Sequence, residues 1–182
     1  MSHDEDEPIT PTDAKDPGEK SLLSPTIDIV FKMMLAHPDS APLLVDLANT
    51  ILMPQDPFEV MTVLNPEIPK EDVDHKGITL DILATTARGA KIQVEMQARH
   101  HAFFKERAFY YATRLHSSQL TRGENYDELR PTYCINFLRF NQFACEDSGS
   151  FAHIFEMRER RTHIPLTSQF EIHFLELLKF QI

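Results

Sequence analysis

Two stretches constrain this chain most: "GITLDILATTA" (residues 77–87) and "AKIQVEMQ" (residues 90–97). In the second, apolar Ile92, Val94 and Met96 alternate with polar Gln93, Glu95 and Gln97. Strict alternation is the pattern of a β-strand with chemically different faces. Arg88 and Gly89 separate the two runs, so they read as a hairpin. A three-residue turn, Ala87-Arg88-Gly89, would use Gly89 at its left-handed position. Thr86 then faces Ala90, and counting outward brings Asp81 opposite Glu95. Their Cβ atoms would lie about 5 Å apart. Gln97 shares that face, and Leu80, Ile82, Val94 and Met96 take the other.

Like charges directly opposed across strands repel, by up to about 1 kcal/mol at a surface. Burial sharpens the conflict and drives one group toward its protonated form. A divalent cation would remove it, and Mg²⁺ suits one or two carboxylates completed by water and phosphate oxygens. Two readings stay open on spacing alone. Asp81 and Glu95 either hold a metal or lie on a wet face, screened by Lys91 or Arg88.

The surrounding chain alternates helix and strand patterns. "SPTIDIVFKMMLAH" reads as a helix with Pro25 at its first position and Ile27, Val30, Phe31, Met34 and Leu35 as its apolar stripe. "DSAPLLVDLANTIL" reads as a second, capped by Asp39 or Ser40, with Leu44, Leu47, Ala48 and Ile51 inward. "PFEVMTVLNPEI" reads as a strand ending at Pro66, followed by the polar link "PKEDVDHK". After the hairpin, "FFKERAFYYATRLHSSQL" predicts a helix closed by Gly123, with Phe104, Ala108, Tyr111 and Leu115 inward. "PTYCINFLRF", "SFAHIFEMRE" and "FEIHFLELLKF" read as three more strands. The order ααβββαβββ predicts an α/β fold, a mixed sheet flanked by helices. The last strand pattern runs to the end of the sequence, so the natural protein is expected to be longer.

Residues 1–21 are set apart as an acidic, disordered tail, and 22–182 as the folded domain. Seven acids and two lysines crowd residues 1–20, with almost no large apolar side chain. The net charge of -10 argues against a nucleic-acid partner at first sight. Yet between residues 99 and 122, Arg99, Lys105, Arg107, Arg114 and Arg122 face only Glu106. Arg107 and Arg114 stand seven apart, on one helix face, where they would suit a phosphate backbone or simply meet solvent. Two cysteines, Cys134 and Cys145, build neither a disulfide framework nor a zinc motif. A reduced, cytoplasmic setting follows as an expectation. No apolar run is long enough for a membrane span, and the N-terminus lacks a secretory pattern. The adjacent His100 and His101 do not converge as ligands. Asp28 stands four residues before Lys32, in the favourable order for a helical ion pair.

The ordered set "SPTIDIVFK", "LNPEI", "DHKGITLDILATT", "IQVEMQ", "ERAFYYATRLHSSQL-RGENYDELRPTYCINFL" and "EIHFLELLK" resembles the recombination-promoting nuclease/putative transposase family of the PD-(D/E)XK nuclease superfamily. The resemblance spans about residues 22–180. It implies a restriction-endonuclease-like core and metal-dependent DNA cleavage, with Mg²⁺ (or Mn²⁺) as cofactor and DNA as partner. Asp81 then looks like the motif aspartate, Glu95 like the second acid, and Asp28 like an additional helical acid. Gln97 stands in place of the superfamily lysine. Arg107, Arg114 and Lys105 become candidate DNA contacts, and a homodimer would supply the two sites that cutting both strands requires. Glutamine carries no charge and cannot accept a proton at neutral pH. That departure keeps a second function in view: a nuclease-fold protein that binds nucleic acid or protein without cleaving.

Overall fold

The alternating run of residues 91–97 lies inside a six-stranded sheet. The structure is a computed structural model and describes residues 28–65, 67–68, 78–143 and 149–180. The acidic tail, the Pro25 helix start, Ile27, Pro66, most of the polar link and Cys145 lie outside these residues. The elements are helices α1 (Asp28–Leu35) and α2 (Ala41–Leu52), strands β1 (Met61–Leu64), β2 (Glu67–Ile68), β3 (Ile78–Thr79), β4 (Ile82–Thr86) and β5 (Lys91–Gln97), helix α3 (Phe104–Ser117), then β6 (Thr132–Leu138), β7 (Ala152–Glu156) and β8 (Phe170–Glu176). β2 and β3 form a separate two-stranded ladder that the sequence reading did not anticipate. The main sheet runs β1-β4-β5-β6-β8-β7. β5, β6 and β8 are mutually parallel, and β1, β4 and β7 run antiparallel to their neighbours.

The hairpin register matches the expectation. Ile82 pairs with Val94, Ala84 with Ile92 and Thr85 with Lys91. At the turn the Thr86 N–H donates to the Ala90 carbonyl at 3.0 Å, and the Gly89 N–H donates back to Thr86. Gly89 sits at φ +87, and a Cβ there would also press within 3.0 Å of Arg130. Glycine meets both demands.

Helices cover both faces of the sheet, which explains the alternation better than exposure does. Ile82, Ala84, Ile92, Val94 and Met96 pack beneath Phe31, Leu35, Leu44 and Ala48 of α1 and α2. Phe104, Ala108 and Ala112 of α3 pack on Cys134, Leu138, Ile172 and Phe174 of the other face. Each fully buried Phe or Leu here stabilises the fold by roughly 1.5–3 kcal/mol.

Some expectations fail for local reasons. Residues 78–87 are not one strand, because the chain bends at Asp81. The bend breaks the alternation, so Leu80 lies with Leu83 and Leu115, not with Ile82 and Val94. Met34 is exposed, because among the described side chains α1 buries the narrow stripe of Phe31 and Leu35. α3 stops at Ser117, well short of Gly123, with the Ser118 N–H bonded to the Arg114 carbonyl. Just beyond, the Gln119 side chain bonds the Arg130 backbone and the Thr132 hydroxyl, drawing the chain toward β6. Gly123 serves a later turn at φ +98. β8 closes at Glu176 and a 3₁₀ turn, Leu177–Lys179, follows it.

Candidate active site

The bend before β4 and the C-terminal half of β5 put two carboxylates against each other. The Asp81 N–H donates to Glu95 Oε1 at 3.2 Å, and the Met96 N–H donates to Asp81 Oδ2 at 3.1 Å. The two strands thus hold each other's acids through backbone donors. Gln93 adds its amide N–H to Glu95 Oε1 at 3.2 Å and accepts from the Cys134 thiol at 3.2 Å. Gln93 is 1% exposed, so this face of "IQVEMQ" is not a wet one near the site. Burial above all, and then the Asp81 charge, push the Glu95 carboxyl up to about 8. Its backbone and Gln93 hydrogen bonds offset only part of that. Burial also raises the Cys134 thiol, which leaves it inert.

Cationic side chains approach from two directions. Lys32 of α1 reaches round the sheet and places Nζ 2.8 Å from Asp81 Oδ1. Arg107, one turn into α3, donates from Nη2 to Gln97 Oε1 at 2.6 Å. Its guanidinium also lies 5.0 Å from the Phe104 ring centroid, a cation–π arrangement that helps hold it. The Gln97 amide N–H donates to the Arg99 carbonyl at 2.8 Å. Gln97 is therefore engaged at both ends. Thr79, Asp81, Glu95, Gln97, Arg99, His101, Arg107 and Tyr111 line an open cleft of about 370 Å³.

The predicted site residues divide clearly. Asp81, Glu95, Gln97 and Arg107 converge on this cleft. Asp28 is the first residue of α1, and its side chain is outside the described structure. Arg114 does not line the cleft, although it was grouped with Arg107; seven residues carry it two turns along α3. Lys105 turns elsewhere, with Nζ 6.0 Å from the Phe143 ring. Lys32 was not foreseen as a site residue, because Asp28 four residues earlier offered a sufficient local partner. His101 was set aside on its adjacency to His100, yet it borders the cleft. His100 instead meets the Phe140 ring edge-on at 5.2 Å.

Among the described residues, no group of three or more His, Cys, Asp or Glu converges. Among the described residues, Asp81 and Glu95 are the pair at this cleft that could hold a metal. Their chemistry fits one: two carboxyl groups offer hard oxygen donors at an open cleft where water or phosphate could complete the coordination. No helix among the described residues is long and apolar enough to cross a membrane.

No curated protein and no solved structure matches the chain. A model of the PD-(D/E)XK nuclease family transposases does match, over residues 25–182. That span takes in the mixed sheet, its flanking helices and the carboxylate cleft, and the chain belongs to this nuclease family.

Proposed function

We propose that this protein is a metal-dependent DNA endonuclease acting in recombination or mobile-element processes. One observation carries the reading: Asp81 and Glu95 are crosswise bonded at an open cleft, where burial and then the Asp81 charge raise the Glu95 carboxyl. Bound between them, Mg²⁺ or Mn²⁺ would polarise a phosphodiester and promote attack by water. Asp81 and Glu95 would hold that ion, and Asp28 would assist from the start of α1. Arg107 would meet the phosphate, since its guanidinium offers more N–H donors than the one bonded to Gln97. Gln97 would act as a positioning residue for Arg107. Lys105 and Arg114, away from the cleft, would serve at most as outlying backbone contacts. A homodimer would allow cleavage of both strands.

A second reading rests on Gln97. Its oxygen and its amide N–H are both engaged by the protein, so it does not replace a lysine in activating water. On that reading the chain binds nucleic acid and cleaves slowly or not at all. Supercoiled plasmid, incubated with Mg²⁺, Mn²⁺ or EDTA, separates the two. The nuclease reading expects metal-dependent nicking by the wild type that is lost in Asp81→Ala. Folded wild type that nicks under no metal, yet shifts plasmid mobility, would establish the binding reading instead. Undiminished nicking by folded Asp81→Ala would remove the assignment of this cleft.

A further inference from the structure

We infer that Lys32 is the resident counter-ion of the carboxylate pair, occupying the cation position at Asp81 and yielding it when a divalent ion binds. The inference rests on the metal reading of Asp81 and Glu95 and adds a residue that it does not require. Lys32 Nζ lies 2.8 Å from Asp81 Oδ1, while Asp81 Oδ2 is held by the Met96 N–H. Oδ1 is thus the carboxylate oxygen not bound to backbone. An ammonium there neutralises part of the charge that Glu95 otherwise meets.

The two ends of this ion pair differ in freedom. The Asp81 side chain is 14% exposed and backbone-bound, whereas the Lys32 side chain is 41% exposed on a long flexible stem. Lysine is a compact point charge on rotatable bonds, suited to leaving one partner for another. A cation that took up Asp81 would displace the Lys32 ammonium from it. Released there, Lys32 would remain the positive charge beside the carboxylate pair that Gln97 does not supply. Arg107, on α3, lines the cleft and contacts Gln97, whereas Lys32 meets Asp81 from α1 outside the cleft lining.

The geometry makes metal affinity and cleavage respond in opposite directions. Mn²⁺ binding is measured by calorimetry without DNA, on wild type, Lys32→Met, Lys32→Gln, Lys32→Arg and Asp81→Asn. Removing an ammonium that competes for Asp81 should tighten Mn²⁺ binding by about three- to tenfold in Lys32→Met and Lys32→Gln. Lys32→Arg keeps the charge and should restore affinity toward the wild-type value. Metal-dependent nicking should fall about tenfold in Lys32→Met despite the tighter binding. Unchanged or weaker Mn²⁺ binding in both neutral variants, with wild-type binding intact and lost in Asp81→Asn, overturns the role of Lys32 alone. Absence of Mn²⁺ binding in wild type and every variant overturns the metal reading together with it.

Discussion

Two glutamates of this sheet, the buried Glu176 and the half-buried Glu95, have opposite surroundings. Glu176, at the end of β8, has a side chain with 0% exposure. It accepts from the backbone N–H groups of Gln142 and Phe143, from Lys179, and pairs with His153 Nε2 at 3.1 Å. Burial alone would raise its carboxyl, yet Lys179, these N–H donors and His153 outweigh burial and hold it below the usual range. Glu95 receives one backbone and one side-chain donor and faces Asp81, and its carboxyl rises to about 8. A carboxylate that ties a loop to a strand is fully compensated. Glu95 is raised by burial and then by the Asp81 charge, at the wall of an open cleft, and that is the arrangement the metal proposal starts from.

The sharpest way to break this contrast is a crossed pair of variants. Glu95→Ala should slow metal-dependent nicking by at least ~10³-fold, about 4 kcal/mol of transition-state stabilisation, while its melting temperature at neutral pH stays at or above wild type. Glu176→Ala should lose about 3 kcal/mol of stability, because Lys179, His153 and two backbone donors lose their shared acceptor. Urea unfolding and plasmid nicking on the same preparations read both axes. A Glu95→Ala protein that melts far below wild type would make Glu95 a structural acid like Glu176.

Proton linkage sharpens the contrast. Glu95 titrates near 4.5 when unfolded and near 8 when folded, so the folded state holds the proton longer. Its contribution to stability is present below about pH 4.5 and is lost as pH rises toward 8. Glu176, lowered by folding, contributes above its unfolded value and loses that contribution as pH falls. Between pH 5 and 8, Glu95→Gln should gain on wild type by about 3 kcal/mol, and Glu176→Gln should show no such gain. Urea midpoints across that range test it. Saturating Mn²⁺ should reduce the Glu95-dependent fall in wild type only.

The fold was legible wherever pattern was local. The register of β4 and β5 followed from Gly89 and from alternation; Asp81, at the bend just before β4, meets Glu95 through crosswise hydrogen bonds and not as a ladder pair. The bend at Asp81 was hidden, because "ITLDI" alternates across it and the apolar run Ile82-Leu83-Ala84 that follows also suits a strand covered on both faces. The burial of Gln93 was not legible, because its partner Cys134 is distant in sequence. Lys32 was missed for the same reason: an i−4 acid is visible in a sequence, but a partner across the fold is not. Arg107 was found through its basic segment, although its bond to Gln97 was not foreseen.

That bond grades the two smaller effects. Arg107→Ala should slow nicking by about ten- to a hundredfold, through loss of a charged phosphate donor. Gln97→Ala should slow it by less, since Arg107 keeps the Phe104 ring as support. Gln97→Lys is the most informative. The resemblance to the nuclease superfamily, whose motif has lysine here, implies that lysine at this position would raise activity. In the structure the new ammonium would face the Arg107 guanidinium that Gln97 Oε1 now accepts from at 2.6 Å. Two cations would share the wall of the cleft, and one would turn away. Nicking should therefore change by no more than about threefold, in the downward direction, with Mn²⁺ affinity slightly weakened by the added charge. A tenfold increase would show that Gln97 is a plain substitution for lysine, and that Arg107 does not carry the cation's role.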